Sequence, residues 1–232
     1  MGRKGEGNGS STLVIVATLN EEEGVGPTLA EIKRHLDEAV FLVVDGRSVD
    51  GTVKIAEAME AQVVFQKGSG KGDAIATAIE HANGLDVDYV VFIDADFTYP
   101  AEYVPKMIGL LEQNPEVGMV CGNRFNDHFH LKRMRNMFYV GNRFLAFTHN
   151  LLNGVSLRDP LTGLRVARWK ILKDWKPRSA SFDVEVELNH YVERKGFSIA
   201  EIPIHYRRRL GEKKLKLRHG WTILRRILSE SI

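Results

Sequence analysis

The chain has 232 residues, 44% of them hydrophobic and 27% charged, with a net charge of only +2 and a single cysteine. That length suits one large domain, the lone Cys121 excludes a disulfide framework and fits a reducing compartment, and no apolar run approaches the ~18 residues of a spanning helix. The first apolar run, Leu13 to Leu19, is also too short for a signal peptide with its cleavage site.

Residues 1–11 are glycine, serine, asparagine and charge, the composition of a disordered tail, so the fold is expected to begin at Thr12. Short β-branched runs then alternate with amphipathic stretches of helical length. The predicted strands are Leu13–Ala17, Phe41–Val44, Gln62–Phe65, Tyr89–Ile93 and Val117–Cys121. Between them run helices over about Gly24–Asp37, Thr52–Met59, Lys71–His81 and Ala101–Gln113. This alternation predicts an α/β, Rossmann-like fold with a mostly parallel central sheet flanked by helices. Right-handed crossovers bring the loops that follow the strands to one edge of such a sheet. The second half changes character. It reads as a helical stretch from about Arg133 to Leu152, the segment Asp159–Arg165, a short helix at Arg168–Trp175, a helix over Phe182–Lys195 and a strand over Phe197–Pro203. We assign 12–217 to one domain and 218–232 to an amphipathic C-terminal helix.

Four polar loops converge at the sheet edge. The strand Tyr89–Ile93 ends in Asp94-Ala-Asp96, and hard oxygen ligands outside the carboxyl ends of strands suit Mg²⁺ or Mn²⁺ shared with a substrate phosphate. The alternative is a solvated turn with Asp96 capping the helix after Pro100. Asn20-Glu-Glu-Glu23 could meet a ribose or a base edge, or form the acidic first turn of a helix. In Asp45-Gly-Arg-Ser48 the strand-end Asp45 is the ligand candidate, whereas Asp50 is expected to cap the next helix. Gly68-Ser-Gly-Lys-Gly72 fails the P-loop pattern because Gly72 follows Lys71 where Ser or Thr is required; a cationic loop on a pyrophosphate and a surface turn both fit it.

Charge is uneven along the chain. From Arg207 to Arg226 the bases Arg207, Arg208, Arg209, Lys213, Lys214, Lys216, Arg218, Arg225 and Arg226 face the lone acid Glu212. Nucleic acid, an anionic membrane surface and a phosphorylated ligand are all partners for such a cluster. A second patch, Lys132, Arg133, Arg135 and Arg143, is interleaved with Phe125, Phe129, Phe138, Tyr139, Phe144 and Phe147. Base stacking, a membrane interface and core packing all accommodate that mixture. At the C-terminus, Trp221, Leu224 and Leu228 share one helical stripe with Ile227 beside it, which fits a helix lying on a bilayer.

Taken in order and spacing, these loops resemble those of the inverting family 2 glycosyltransferases with the GT-A fold, over nearly the whole chain from Thr12 onward. The likeness is nearest to the polyprenol-phosphate glycosyltransferases of the dolichol-phosphate mannose synthase type. Thr18-Leu-Asn-Glu21 resembles the family's Pro-x-Tyr-Asn-Glu, Asp45 to Thr52 its Asp-Asp-Gly-Ser-x-Asp-Gly-Thr, and Asp94-Ala-Asp96 its Asp-Ala-Asp. Gly122-Asn-Arg-Phe125 looks like Gly-Ser-Arg-Phe, Asp159-Pro-Leu-Thr-Gly-Leu-Arg165 like Asp-x-x-Ser-Gly-Phe-Arg, and Arg209-Leu-Gly-Glu-Lys-Lys-Leu215 like Arg-x-Gly-Glu-Ser-Lys-Leu. The last two distinguish the lipid-phosphate branch. Ala17 and Leu19 depart from the family's Pro and Tyr, Gly46 replaces the second Asp, Thr98 stands where a metal-binding Gln is frequent, and Lys213 replaces Ser.

The resemblance implies transfer of one sugar, mannose favoured, from a nucleotide-sugar donor to a polyprenyl (dolichyl) monophosphate. GDP-mannose is the favoured donor and UDP-glucose the next. Asp94, Asp96 and Thr98 would form the metal site, and a divalent ion there would neutralise the departing nucleoside diphosphate. Ala17, Leu19, Glu21, Asp45, Lys71, Asp94, Ala95 and Asp96 would bind the donor. An acceptor phosphate is already anionic and needs cations more than a base, so Arg124, Arg165, Arg209 and Lys214, with Thr162, are its candidate clamp. Asp159 would orient one of these arginines in preference to acting as a base, and together with Asp94, Asp96 and Arg165 it completes the catalytic set. Phe182-Asp-Val-Glu185 also matches a family stretch, with its acids expected to be structural. The implied location is peripheral, on the cytoplasmic face of a membrane, with a membrane-anchoring subunit as a further partner, because relatives either recruit such subunits or continue into spanning helices.

Two other classes compete. A sugar-phosphate nucleotidyltransferase would want a glycine-rich, Arg-Lys loop after the first strand, where this chain has Asn-Glu-Glu-Glu. A nucleic-acid-binding module would use the basic tail, but the acidic loops would repel a polyanion, so no nucleic-acid partner is expected.

Overall fold

The computed structural model describes residues 11–36, 38–125, 137–153, 156–212, 214 and 218–230. Its strands are β1 (Thr12–Thr18), β2 (Val40–Asp45), β3 (Gln62–Phe65), β4 (Tyr89–Asp94), β5 (Val117–Asn123), β6 (Arg165–Arg168) and β7 (Ser198–Pro203). They form one sheet in the order β3-β2-β1-β4-β6-β5-β7. Every pairing is parallel except those of β6, which runs antiparallel to both β4 and β5. The helices are α1 (Glu22–His35), α2 (Thr52–Ala58), α3 (Lys71–Ala82), α4 (Val104–Gln113), α5 (Met137–Asn153), α6 (Trp169–Leu172), α7 (Val184–Arg194) and α8 (Arg218–Glu230).

Strand side chains alternate between two buried layers, which is why the strands read as unbroken apolar runs. Val14, Val16, Val43, Val91 and Ile93 meet Leu29 and Ile32 of α1 and Met107 and Leu111 of α4. On the other face Leu13, Ile15, Leu42, Val90 and Phe92 meet Ile75 and Ala78 of α3 and Leu188 and Val192 of α7. Cys121 belongs to this second layer, where burial pushes its thiol up to about 12. Parallel register aligns Thr18 with Asp45 and Ala17 with Asp94, so the loops after β1, β2 and β4 start side by side.

The short helix predicted at Arg168–Trp175 is present as the single turn of α6, and strand β6, which was not predicted, runs directly into it. Arginines at both ends disguise this strand, and both are tied to backbone carbonyls. Arg165 donates to the carbonyls of Thr162 (2.8 Å) and Pro160 (2.6 Å), while Arg168 donates to that of Val117 (2.9 Å) and to that of Leu111 in the last turn of α4.

The C-terminal helix is docked on the domain through one of its faces. Ile223 and Ile227 pack with Leu145 of α5 and Val186 of α7 in a third core cluster. Glu230, at the end of α8, pairs with Arg178 (3.1 Å), Arg194 (2.6 Å) and Arg226 (3.2 Å). Of the stripe read from sequence, Trp221 is 74% and Leu228 47% exposed while Leu224 is partly buried, and Ile227 beside it faces the domain. The tail 1–10, the bases Lys132, Arg133, Arg135, Lys213 and Lys216, and Phe129 lie outside the described residues.

Candidate active site

One cavity of about 500 Å³ opens at the shared sheet edge, lined among others by Ala17, Leu19, Glu21, Lys71, Asp94, Ala95, Asp96, Arg124, Arg209 and Lys214. The loop after β4 is its floor. Thr28 of α1 donates its hydroxyl to the Ala95 carbonyl (3.2 Å) and accepts from the Phe97 amide (3.1 Å). Phe97 itself holds φ +62, a left-handed conformation that costs energy for a bulky side chain and clusters at functional sites. A Cβ at Gly163 would collide with the Asp94 carboxylate, so glycine is required where the Asp159–Arg165 segment crosses the floor.

The two carboxylates are held differently. Asp94 Oδ1 accepts from the Lys71 ammonium at 2.6 Å, and the same nitrogen lies 2.7 Å from Glu185 Oε1 on α7. Burial opposes ionisation of Asp94, but the attraction of Lys71 outweighs it and holds the carboxyl below its usual range. Lys71 is likewise kept protonated: burial disfavours the ammonium, and its two carboxylate neighbours more than compensate. Asp96 Oδ1 accepts from the Thr98 hydroxyl (2.5 Å) and amide (3.1 Å), and Oδ2 lies 3.0 Å from Arg209. Burial and the neighbouring Asp94 charge push Asp96 up despite those donors. Arg209 also pairs with Glu21, whose carboxyl is raised chiefly by burial.

Other predicted residues sit behind the cavity. Asp45 is fully buried, accepting from Thr18 Oγ1 (2.9 Å), Ser48 N (2.7 Å) and Ser48 Oγ (2.6 Å), so it ties β1 to the second loop. Thr98 is also fully buried and spends its hydroxyl on Asp96. Asp159 forms a bidentate pair with Arg124, at 2.7 Å to Nε and 2.8 Å to Nη2. Arg124 thereby stays on the cavity wall with its guanidinium 5.4 Å from the Tyr206 ring centre. Arg165 is 1% exposed and does not reach this cavity; its third partner is Asn189 Oδ1 at 2.5 Å. Thr162 is buried beside it, with a hydroxyl that meets no partner among the described residues.

Gln66, Tyr99, Glu185, Tyr206 and His219 also line the cavity and are not among the site residues expected from sequence. Glu185 was assigned a structural part with Asp183, and Asp183 does take one, accepting from Arg226 of α8 at 3.0 Å. Glu185 differs because the neighbouring segment brings α3 against α7: a Cβ on Gly70 or Gly72 would strike the backbone of Ala180 or Ser179. Those two glycines, one before α3 and one in its first turn, serve close packing, which no spacing rule reveals.

Asp94 and Asp96 offer hard oxygens on one turn, and among the described residues no cluster of three or more His, Cys, Asp or Glu side chains could enclose a metal. Two carboxylates with a substrate phosphate and waters form a donor set that Mg²⁺ accepts, so the residues present fit a divalent ion completed by its ligand.

A mixed seven-stranded sheet of this topology, with paired acids at the end of a central strand, defines a GT-A type α/β protein. Crystal structures of glucosyl-3-phosphoglycerate synthase from Mycobacterium tuberculosis share the fold. The complex with Mn²⁺, UDP-glucose and phosphoglyceric acid superposes with a TM-score of 0.75 at 22% identity, over 96% of this chain and 80% of that one. The model for Glycosyl transferase family 2 matches residues 13–175, and the chain belongs to that family. It is 36% identical over 205 residues to a dolichyl-phosphate hexose transferase of Haloferax volcanii, covering 87% of this chain and 85% of the relative. Glycosyltransferase AglJ of the same organism is 32% identical over 195 residues, covering 83% of this chain and 62% of the relative. Membership decides between glycosyl transfer and the two competing classes in favour of the first.

Proposed function

We propose that this glycosyltransferase moves one hexose, mannose favoured, from a nucleotide-sugar donor to a polyprenyl (dolichyl) monophosphate with inversion, at the cytoplasmic face of a membrane. The observation that carries the reading is the meeting of opposite charges in one cavity: Asp94 and Asp96 on its floor, Arg124, Arg209 and Lys214 on its walls. The acids suit a Mg²⁺ or Mn²⁺ ion bound with the donor diphosphate, where the metal would supply Lewis-acid stabilisation of the leaving group. The cations suit an anionic acceptor, whose phosphate oxygen forms the new bond to the anomeric carbon as the bond to the nucleoside diphosphate breaks. Arg124, whose Nε and Nη2 are taken by Asp159, is held on the cavity wall beside Tyr206 and so is pre-organised as a positive charge for a phosphate. Arg165 and Thr162 act from behind it, shaping the segment between Asp159 and Arg165.

A relative named for dolichyl-phosphate hexose transfer supports the acceptor class. Exposed Phe144, Phe147 and Leu151 on α5, with Trp221 and Leu228 on α8, support contact with a lipid surface or an anchoring subunit. No described helix is long and apolar enough to cross a membrane. The test is transfer by the purified protein with Mg²⁺ or Mn²⁺, dolichyl phosphate and a panel containing GDP-mannose, UDP-glucose and UDP-N-acetylhexosamines. One glycolipid product is expected. If no donor is consumed and none raises the melting temperature, the reading is wrong.

A further inference from the structure

Glu185 is the one acid of the cavity contributed by α7, in the Phe182–Glu185 stretch whose acids are expected from sequence to be structural. Its side chain is 91% buried, Oε1 lies 2.7 Å from the Lys71 ammonium, and Oε2 has no hydrogen-bond partner among the described residues. An ionised carboxylate oxygen left without a donor in a water-poor wall costs free energy until some group donates to it. The terminal torsion of a glutamate is soft, so the carboxylate can turn toward the cavity while Lys71 keeps its hold on the first oxygen. Lys71 in turn is fixed by Asp94, at 2.6 Å, so the position of Glu185 is referred to the floor of the site.

The order of the sheet says which part of a donor meets this oxygen. Resting on the proposed transferase reading, the diphosphate lies at the end of β4 with Asp94 and Asp96. The nucleoside extends toward β1, β2 and β3, where Leu19 and Gln66 line the cavity. The sugar therefore lies on the opposite side of the phosphates, over β6 and α7, where Glu185 stands. Sugar hydroxyls are donors, and the described residues supply none to Oε2. We propose that Glu185 is a specificity-determining residue that accepts a hydrogen bond from one hydroxyl of the transferred hexose, with Lys71 as its positioning residue.

The experiment pairs the wild type, Glu185→Gln and Glu185→Asp with the preferred nucleotide sugar and its 2-, 3-, 4- and 6-deoxy analogues, each with Mg²⁺ and dolichyl phosphate. A hydrogen bond to a charged group corresponds to a loss of roughly ten- to a hundred-fold in kcat/KM when either partner is removed. One deoxy analogue is expected to lose that factor with the wild type and to lose much less with Glu185→Gln, because the charged acceptor is already gone and a neutral amide holds a hydroxyl more weakly. The other analogues should lose equal factors in both proteins. If every analogue responds identically in wild type and variants, Glu185 reads no hydroxyl and the inference is overturned while the transferase stands. Wild-type protein that consumes no parent sugar overturns both. Glu185→Asp retains charge on a shorter stem; if Glu185→Gln melts before assay, the same loss of discrimination at one position in Glu185→Asp decides the matter.

Discussion

The guanidinium of Arg209 lies 3.0 Å from Asp96 Oδ2, the oxygen that a divalent ion at this turn would also seek. Arg209 reaches Glu21 as well, so one cation links the loops after β1 and β4. A metal held by Asp96 would compete with the arginine for a single carboxylate and would free Arg209 to face phosphate. Replacing Arg209 by Gln is expected to lower the Mg²⁺ concentration needed for half-maximal activity while reducing kcat by roughly a hundred-fold, the loss typical of removing one charge-stabilising donor. Metal titrations of initial rate, compared between the two proteins, separate these opposite effects. A variant needing more Mg²⁺ would contradict the competition.

Thr98 bears on the same carboxylate from the other side. Its hydroxyl donates to Asp96 Oδ1 at 2.5 Å, which lowers the carboxyl against the upward push of burial and Asp94. Thr98→Val removes that donor at nearly constant volume. A metal at this turn would require ionised Asp96, so activity should rise with pH through its titration, and losing the donor is expected to move the acidic limb to higher pH. Thr98→Ser should restore the wild-type profile. A loss of roughly ten-fold in kcat/KM below neutrality, recovered at higher pH, marks a positioning residue; complete inactivity of Thr98→Val at every pH would mark a metal ligand.

These two residues show how far sequence reading extends. Asp94, Asp96, Arg124 and Arg209 were legible because strand ends and charged motifs place them at one edge, and all four line the cavity. The alternation of the first half gave the parallel core for the same reason, since an unbroken apolar run is what a strand covered on both faces requires. Orientation was not legible. Whether Thr98 faces the cavity or Asp96, and whether Asp159 meets Arg124 or Arg165, depends on side-chain direction in irregular loops. Strand β6 escaped because four residues bounded by arginines carry no period, and Glu185 because its partner Lys71 comes from a helix more than a hundred residues earlier.

His149 of α5 and His190 of α7 meet at a tilt with ring centres 5.2 Å apart, and neither is more than 4% exposed. Burial, and then the His190 ring, push His149 down to about 4, and burial lowers His190 as well. The sign follows from proton uptake. Below the unfolded value of 6.5 the unfolded chain binds protons that the folded chain refuses, so stability falls as pH drops toward about 4 and levels off beneath it. His149 alone is expected to account for about 2 kcal/mol between pH 7 and pH 5. Urea unfolding at these two pH values measures the loss, and His149→Gln, which cannot titrate, should shrink it. An unchanged difference in the variant would place the acid sensitivity elsewhere.

The two faces of α8 make separable predictions. Ile227 is fully buried against the domain, so Ile227→Ala removes core contact and should cost about 2–4 kcal/mol in unfolding free energy. Trp221 and Leu228 point away, at 74% and 47% exposure, and pack too little for their loss to register. Trp221→Ala with Leu228→Ala should leave stability within about 0.5 kcal/mol of wild type. The same double change should weaken cosedimentation with anionic phospholipid vesicles several-fold, because the indole and the leucine are the apolar groups that this helix can offer to a headgroup layer. Exposed Arg225 between them supplies a neighbouring positive charge, so binding of the wild type should also fall as salt rises. If the double variant binds vesicles as well as wild type at matched ionic strength, α8 is a domain brace and the lipid contact must be sought on Phe144, Phe147 and Leu151 of α5.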